Sequence, residues 1–287
     1  MSKNSKSKPH YVDNIFYGDA RKMGELPDSS VSLIVTSPPY WNIKDYSLDG
    51  KQEKKNGVKI KGQIGDINNF KKYLEELTIV WKECERVLKP NGKLCINTPL
   101  MPILKSQLNT HYTRDIVDIN AGIEWEILNK TKLYLYDVFI WNRTNPTKGL
   151  MFGSYPYPPN FYAQNTIEFI TVFVKDGKSD NKENDIKEKS KLSEKEWVDF
   201  TKQVWNIPVP NKSDIAYGEH PAIMPEEIAY RLIRLFSFVN DLVLDPFMGS
   251  GTTAVVAQDN NRHYIGYEIN KTYKRIADAK LRRQKLL

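Results

Sequence analysis

The chain has 287 residues, enough for one large α/β domain with a small insertion or for two small domains. Its net charge of +7 favours nucleic-acid binding only modestly. No segment approaches the roughly 20 apolar residues of a membrane span. Two cysteines and four histidines favour neither a disulfide scaffold nor a zinc site, so Cys84 and Cys95 are interpreted as buried core residues and no metal is expected.

The first elements alternate between short apolar strands and loops. Residues 1–10 are polar and rich in lysine, which predicts a flexible tail of a cytoplasmic protein without a signal peptide. Strands are predicted at residues 15–19 and 31–36, and the second ends at Pro38-Pro39. The lysine-rich, glycine-punctuated residues 43–66 are expected to form a mobile loop.

The clearest predicted element is a helix over residues 70–88, where apolar residues recur at steps of three and four. Pro90-Asn91-Gly92 ends it, and a strand is predicted over residues 93–97. A weaker helix is predicted over residues 115–128. Further strands are predicted over residues 136–141 and 166–174.

Two segments interrupt this pattern. Residues 144–165 are rich in Gly, Pro, Asn and aromatics, which is typical of an ordered loop. Residues 175–196 carry 14 charges in 22 residues, seven of each sign, without an aromatic residue. Such a segment buries little surface, so we expect it to be solvated or disordered and dispensable for folding. We interpret residues 144–165 and 175–217 as insertions within a single domain.

The last third contains a glycine turn between a strand and a helix. Helices are predicted over residues 225–239, 252–259 and 272–286, and strands over residues 242–245 and 263–268. Gly249 and Gly251 permit a sharp turn and the close approach of a ligand. The helix after Gly251 offers free N–H groups to an anion, and Glu268 ends the next strand, where a carboxylate can accept both ribose hydroxyls of an adenosine.

Three kinds of ligand could bind at such a glycine turn. A nucleoside triphosphate is disfavoured because the turn has no lysine. A nicotinamide dinucleotide matches the spacing of Gly249, Gly251 and Ala254. S-adenosylmethionine also fits, with its carboxylate at the helix and its ribose on Glu268. A purely structural turn remains an alternative.

A second turn, Ser37-Pro38-Pro39-Tyr40, follows the strand over residues 31–36. The prolines fix their φ angles, so the turn is rigid. The Ser37 hydroxyl and the Pro38 carbonyl can accept hydrogen bonds from an amino group, and Tyr40 offers a face for a base. Methylation of an exocyclic amine needs such acceptors, because the nitrogen lone pair is otherwise conjugated with the ring. A proline-stiffened turn without function is the alternative.

Together the two turns resemble the DNA amino-methyltransferases of the beta class, in which the cofactor motif comes last. The resemblance covers nearly the whole chain outside residues 175–196. It includes Leu88 to Gly92 before a core strand, and Val138 to Asn142 with Glu168-Phe169 beside the target base. It implies catalytic residues Ser37, Pro38, Pro39 and Tyr40. It implies cofactor-binding residues Asp19, His220, Asp245, Pro246, Phe247, Gly249, Ser250, Gly251, Thr252, Thr253 and Glu268.

The resemblance implies a Rossmann-like α/β fold with a mixed seven-stranded sheet. It implies S-adenosyl-L-methionine as cofactor and a flipped-out base in double-stranded DNA as substrate. A cognate restriction endonuclease and a homodimer are expected partners, and no membrane is. The usual large target-recognition region is short here, so loops at 144–165 and 197–217 are expected to read the sequence, and the lysines at 51, 54, 55, 59 and 61 to contact phosphates. The alternatives are a catalytically inactive DNA-binding module and a nicotinamide-dependent oxidoreductase.

The methylated base is predicted from the first residue of the catalytic turn. In the family that the chain resembles, Ser usually accompanies cytosine N4, whereas Asp or Asn usually accompanies adenine N6. A hydroxyl can accept from the amine and, after rotation, donate to the ring nitrogen, whereas a carboxylate only accepts. Ser37 therefore predicts N4-methylcytosine, with N6-methyladenine as the alternative.

Overall fold

The computed structural model describes residues 9–41, 46, 59–104, 114–145, 156, 157, 163 and 165–284. These residues form nine strands and seven α-helices, which confirms the Rossmann-like α/β fold. The strands are β1 (Asn14–Tyr17), β2 (Val31–Thr36), β3 (Leu88–Leu104), β4 (Arg114–Asp118), β5 (Leu133–Arg143), β6 (Ile167–Lys175), β7 (Val204–Ile207), β8 (Leu242–Asp245) and β9 (His263–Glu268). The helices are α1 (Phe70–Val87), α2 (Ile119–Lys130), α3 (Asn184–Ser190), α4 (Glu194–Phe200), α5 (Glu226–Phe236), α6 (Thr252–Asp259) and α7 (Lys271–Gln284).

The strands pair in the order β1-β9-β8-β2-β3-β6-β5-β7, and β4 pairs with β3 off this path. Strand β6 is antiparallel to β3 and β5, and the pairs from β1 to β3 and between β5 and β7 are parallel. The described sheet thus has nine strands where seven were expected, and β4 and β7 are the two additions. Because β2 and β8 are parallel neighbours, the turns that follow them meet at one edge of the sheet.

Helices cover both faces of the sheet, as expected for a doubly wound fold. Buried residues of α1 and α2, including Leu77, Trp81 and Ile123, form the core on one face. Residues of α5, α6 and α7, including Leu232 and Ala257, form the core on the other. Both cysteines are buried and unpaired, which confirms their structural interpretation. Within the described residues, no helix is long and apolar enough to cross a membrane.

Helix α1 shows why the strongest sequence pattern folded as predicted. Its first turn is capped by Asn69, whose side chain accepts a hydrogen bond from the Lys72 N–H at 2.9 Å. Tyr73, Leu77 and Trp81 are each fully buried at helical spacing. The following strand is longer than predicted, because β3 begins directly after the helix and the Pro90-Asn91-Gly92 turn lies within it as a register shift against β2.

The structure describes Tyr46 and residues 59–66 of the predicted mobile loop over residues 43–66, and both parts contact the folded domain. Residues 43–45 and 47–58 lie outside the described residues, as do 1–8 of the predicted tail. Tyr46 is buried, and residues 64–66 form a 3-10 helix in which Ile64 is buried. The Trp41 indole N–H donates to the Ile67 carbonyl at 2.7 Å. These apolar anchors hold the end of the segment against α1 and the sheet.

Residues 175–196 were expected to be solvated or disordered, and they are solvated: most of their side chains are exposed, but the backbone is partly helical. The segment contains α3 and the start of α4, and local capping explains the second helix. Ser193 and Glu196 form a capping box, in which each side chain bonds the backbone N–H of the other. Glu196 also accepts from the Tyr230 hydroxyl at 3.0 Å, which fastens α4 to α5.

Glu196→Ala is therefore expected to lower the free energy of unfolding by about 1 kcal/mol and Tm by about 3 °C. Hydrogen bonds from Ser193 hold the pKa of Glu196 at about 2, against a usual 4.5. Because the pKa of Glu196 is lower in the folded protein, the ionised carboxylate stabilises the fold. The difference in Tm between Glu196→Ala and wild type should therefore shrink as pH falls from 4.5 towards 2. Thermal melting checks this. Glu188→Ala, whose ion pair with Lys191 is exposed, is the control and should change Tm by less than about 1 °C. Equal melting of both variants would contradict the capping assignment.

Candidate active site

The two predicted turns meet at the carboxyl ends of β2 and β8, and a buried carboxylate joins them. Asp245 accepts a hydrogen bond from the Thr36 hydroxyl at 2.6 Å and another from the Thr253 hydroxyl at 2.8 Å. Burial raises the pKa of Asp245 to about 6. Asp245 therefore couples the turn that begins at Ser37 to the first turn of α6.

An open pocket lies between the two turns. Every predicted site residue except Tyr40 and Gly251 lines it. The lining residues that the sequence predicted are Asp19, Ser37, Pro38, Pro39, His220, Asp245, Pro246, Phe247, Gly249, Ser250, Thr252, Thr253 and Glu268.

The two glycines of the cofactor turn have different roles. Both have positive φ angles, 51° at Gly249 and 87° at Gly251. A Cβ at Gly249 would lie 2.8 Å from Nε2 of His220, which also lines the pocket. A Cβ at Gly251 would lie 2.7 Å from Cβ of Ala277 on α7. Gly251 thus permits the close packing of α7.

Glu268 supports the glycine turn as well as the pocket. One carboxylate oxygen accepts from the Gly249 N–H at 2.7 Å and the other from the Asn270 N–H at 2.6 Å. Each oxygen has a second lone pair that can accept from a ligand hydroxyl. Burial raises the pKa of Glu268 to about 7, so its charge changes near neutral pH.

Asp19 and His220 border the pocket from other elements. Both carboxylate oxygens of Asp19 accept from the Arg21 guanidinium, and the Arg21 N–H also donates to one of them at 3.0 Å. Although burial opposes it, this pairing holds the pKa of Asp19 below its usual value. His220 accepts at Nδ1 from the Ala222 N–H at 3.2 Å and contacts the Tyr273 ring at 4.5 Å between centroids.

The Ser37-Pro38-Pro39-Tyr40 turn is held by three groups from other parts of the chain, Tyr73, Tyr46 and Asn97. The Tyr73 hydroxyl of α1 donates to the Pro39 carbonyl at 2.9 Å, and the Tyr40 N–H donates to the Tyr46 hydroxyl at 3.1 Å. The Ser37 hydroxyl lies 3.2 Å from both the Asn97 carbonyl and the Tyr40 hydroxyl. The tyrosine ring is buried behind the serine and lies outside the pocket lining.

Sequence reasoning missed several groups at this site. Tyr46 lines the pocket from inside the predicted mobile loop, and Ile64 and Tyr273 line it from segments without a motif. Tyr73 was predicted only as a core position of a helix. No local signal marked these residues, because their roles depend on contacts between elements far apart in the chain.

The donor set fits S-adenosyl-L-methionine. Among the described residues, the buried Thr252 hydroxyl has no hydrogen-bond partner, and it lines the pocket at the first residue of α6. A helix N-terminus and a free hydroxyl suit a carboxylate. Glu268 would hold the ribose, and Asp19 and Phe247 would border the adenine.

Comparison with known proteins decides the family. The model of a family described as DNA methylase matches residues 31–279. The chain belongs to the DNA methylase family. The methylase is 32% identical to the Type II methyltransferase M.MjaI of Methanocaldococcus jannaschii, over 93% of this chain and 90% of that protein. It is 29% identical to M.Cfr9I of Citrobacter freundii, over 93% of this chain and 87% of that protein.

Solved structures agree with this assignment. TTHA0409 of Thermus thermophilus, in complex with S-adenosyl-L-methionine, has a TM-score of 0.73 and 29% identity, over 95% of this chain and 94% of that one. The PvuII DNA methyltransferase, which is cytosine-N4-specific, has a TM-score of 0.64 over 93% of this chain and 85% of that one; at 19% identity it supports the fold alone.

The methylase is a beta-class DNA amino-methyltransferase that depends on S-adenosyl-L-methionine. This excludes the nicotinamide cofactor, which the glycine spacing alone had left open.

Proposed function

We propose that the methylase transfers the methyl group to N4 of cytosine in a specific DNA sequence, with adenine N6 as the alternative. The observation that carries the proposal is Ser37 at the first position of the catalytic turn, where it lines the cofactor pocket and its hydroxyl donates to the Asn97 carbonyl. In the beta class that residue usually accompanies cytosine.

The turn acts on the amine by accepting its hydrogen bonds. When bound, S-adenosyl-L-methionine supplies an electrophilic methyl group, so the protein needs no covalent nucleophile. The Ser37 hydroxyl and the Pro38 carbonyl would accept from the two N–H groups and free the nitrogen lone pair from the ring. Because the hydroxyl lies near two protein acceptors, Tyr40 and Asn97, it meets the base as an acceptor. The sequence suggested that the Ser37 hydroxyl could donate to the ring nitrogen. To do so, the hydroxyl would have to break its hydrogen bonds with both Tyr40 and Asn97.

A second observation favours cytosine. Among the described residues, the buried Arg143 Nε has no hydrogen-bond partner, and Nη1 of the same guanidinium lies 3.7 Å from Glu168 behind the turn. The Watson–Crick edge of cytosine presents two acceptors, N3 and O2, whereas that of adenine presents only N1. A donor on the Glu168 side of the turn would therefore suit cytosine better.

DNA recognition is proposed for the segments at 144–165 and 197–217. Residues 146–155, 158–162 and 164 lie outside the described residues. Where both segments are described they adjoin, since β5 pairs with β7 and the Val209 N–H donates to Oδ1 of Asn145 at 2.7 Å. Residues 144 and 145 follow β5, and residues 208–217 follow β7. Because both strands run parallel to β2, these described residues start from the edge of the sheet that holds the pocket. Lys59 and Lys61 are exposed and are proposed to contact phosphates; the lysines at 51, 54 and 55 lie outside the described residues.

Partners and location extend the proposal. Because the compared relatives are Type II methyltransferases, we propose a restriction endonuclease that cleaves the same site, and a cytoplasmic location with the DNA. A homodimer is also proposed, supported by Ile79 of α1 and Trp125 and Leu128 of α2, which are 41–58% exposed. Light scattering of the purified protein tests the dimer.

The expected product is N4-methyldeoxycytidine. Unmodified genomic DNA is methylated in vitro with the radiolabelled cofactor, digested to nucleosides and analysed by mass spectrometry. Methylated deoxyadenosine as the main product would overturn the cytosine assignment and leave the enzyme class intact. DNA that is bound without acquiring label would instead support the inactive DNA-binding module.

A further inference from the structure

A buried carboxylate lies directly behind the catalytic turn. Glu168 of β6 is 5% exposed, and the family resemblance implies only that it lies beside the target base. Its Oε2 accepts from the Asn97 side-chain amide at 2.7 Å and from the Tyr40 hydroxyl at 3.2 Å. Its Oε1 lies 3.7 Å from the Arg143 guanidinium. Two donors and a cation favour the ionised form of a buried carboxylate.

These contacts form a chain from the pocket to Glu168. The Ser37 hydroxyl lies 3.2 Å from the Tyr40 oxygen, and the Tyr40 oxygen lies 3.2 Å from Glu168. An ionised carboxylate can only accept, so the single Tyr40 proton points to Glu168. The Tyr40 oxygen then presents its lone pairs to Ser37, and the Ser37 proton points into the protein. The lone pairs of Ser37 are left to face the target amine.

Tyr40 is suited to this intermediate place. Burial, and then the charge of Glu168, raise the pKa of Tyr40 well above its usual 10.0, so the phenol keeps its proton and remains a donor. Its N–H is fastened to Tyr46 at 3.1 Å. The tyrosine hydroxyl therefore connects the serine and the carboxylate.

We propose that Glu168 is a positioning residue that orients the Ser37 hydroxyl through Tyr40 and is the final acceptor of the proton that the target amine loses. The inference rests on the proposed contact between Ser37 and the amine, but it holds for cytosine and adenine alike.

Protons and electrons balance along this chain. The nitrogen lone pair forms the new N–C bond, and the electrons of the broken C–S bond stay on sulfur. The positively charged nitrogen then gives a proton to Ser37 while Ser37 gives its own to Tyr40 and Tyr40 gives its own to Glu168. The carboxylate becomes a carboxylic acid, and its proton later passes to solvent. No other reactant is needed.

A double-mutant cycle tests the chain. Single-turnover methylation is measured on unmodified genomic DNA at saturating cofactor and DNA for wild type, Glu168→Gln, Tyr40→Phe and the double variant. Each single change should lower the rate by about 100-fold or more, since a positioned proton acceptor typically contributes about 100- to 10,000-fold. The double variant should be no more than about threefold slower than the slower single variant. Either single change already interrupts the hydrogen-bond chain from Ser37 to Glu168, so the second change has little left to remove. Dissociation constants for the cofactor should change by less than about twofold.

The control is Glu126→Gln, which alters a half-buried carboxylate that accepts from the Thr78 hydroxyl at 2.8 Å on another side of the protein. Its rate should match wild type. A Glu168→Gln rate within twofold of wild type, or effects that multiply in the double variant, would overturn the inference. If Glu168→Gln fails to fold, Tyr40→Phe decides alone, since it leaves Glu168 and Asn97 in place. A fully active Ser37→Ala would instead refute the proposed role of Ser37.

Discussion

Ser37→Ala is expected to cut the turnover number by about 100- to 1,000-fold, the usual loss when one stabilising polar group is removed from an active site. The hydroxyl is the side-chain acceptor of the turn, and alanine offers the amine only the Pro38 carbonyl. The nitrogen lone pair then stays conjugated with the ring. Cofactor affinity should change by less than about twofold, because the hydroxyl contacts Tyr40 and Asn97 and no residue of the glycine turn.

Turnover and cofactor binding are measured separately to distinguish this role from a structural one. Methyl incorporation gives the turnover number, and calorimetric titration gives the dissociation constant. Ser30→Ala is a matched control, since that hydroxyl donates to the Pro27 carbonyl in a loop away from the pocket. A parallel loss of both activity and cofactor affinity in Ser37→Ala would show that the turn had collapsed and that the hydroxyl has no specific role.

Glu268→Ala is expected to weaken cofactor binding by about 1.5–3 kcal/mol, or roughly 12- to 150-fold in the dissociation constant. The change removes the carboxylate that is expected to accept hydrogen bonds from the ribose. It also removes the acceptor of the Gly249 N–H, which donates to Glu268 at 2.7 Å. Calorimetric titration measures the loss. Asp278→Ala is the control, because that carboxylate pairs with Lys274 on α7 and does not line the pocket.

The raised pKa of Glu268 adds a pH dependence. Since burial raises it to about 7, the protein without ligand holds a proton on Glu268 below that pH, and ligand hydroxyls bind the ionised form better. Cofactor affinity should therefore rise from pH 6 to pH 8, by up to about 10-fold, and Glu268→Gln should remove the dependence. The same shift means that Glu268 stabilises the empty protein below pH 4.5 and loses this effect as pH rises through 7. An affinity independent of pH in the wild type would contradict the assignment.

The sequence predicted best the elements whose ends carry a strong local signal. The strand Val31–Thr36 ends at two prolines, and the bounds of β8, α6 and β9 were predicted correctly around the glycine turn. Strands β4 and β7 were missed, because they are short and are defined by pairing with distant strands. Helix α4 was not predicted because the sequence around its start is highly charged, although the Ser193-x-x-Glu196 capping signature was present.

The site residues, like the strands and helices, were predicted where a local sequence signal exists and missed where none does. Motifs located Ser37 and Glu268, since each follows or ends a strand at a predictable edge of the sheet. They did not locate Tyr46 or Tyr73, whose hydroxyls hold the catalytic turn from other elements. They also did not show that the Tyr40 hydroxyl reaches Glu168 of β6, because that contact depends on the pairing of β3 with β6. Contacts between distant elements leave no pattern in a single sequence.

The hydrogen bond between Thr36 and Asp245 joins residues 209 positions apart, and β1 is paired only with β9 among the described strands. During synthesis, β1 and the edge of β2 that pairs with β8 therefore stay unpaired until residues 242–268 have emerged from the ribosome. Unpaired strand edges are prone to aggregate, and pairing across such distances is slow. The growing chain is thus exposed to misassembly for most of its translation, and it acquires methylating capacity only when its late-synthesised strands close the sheet.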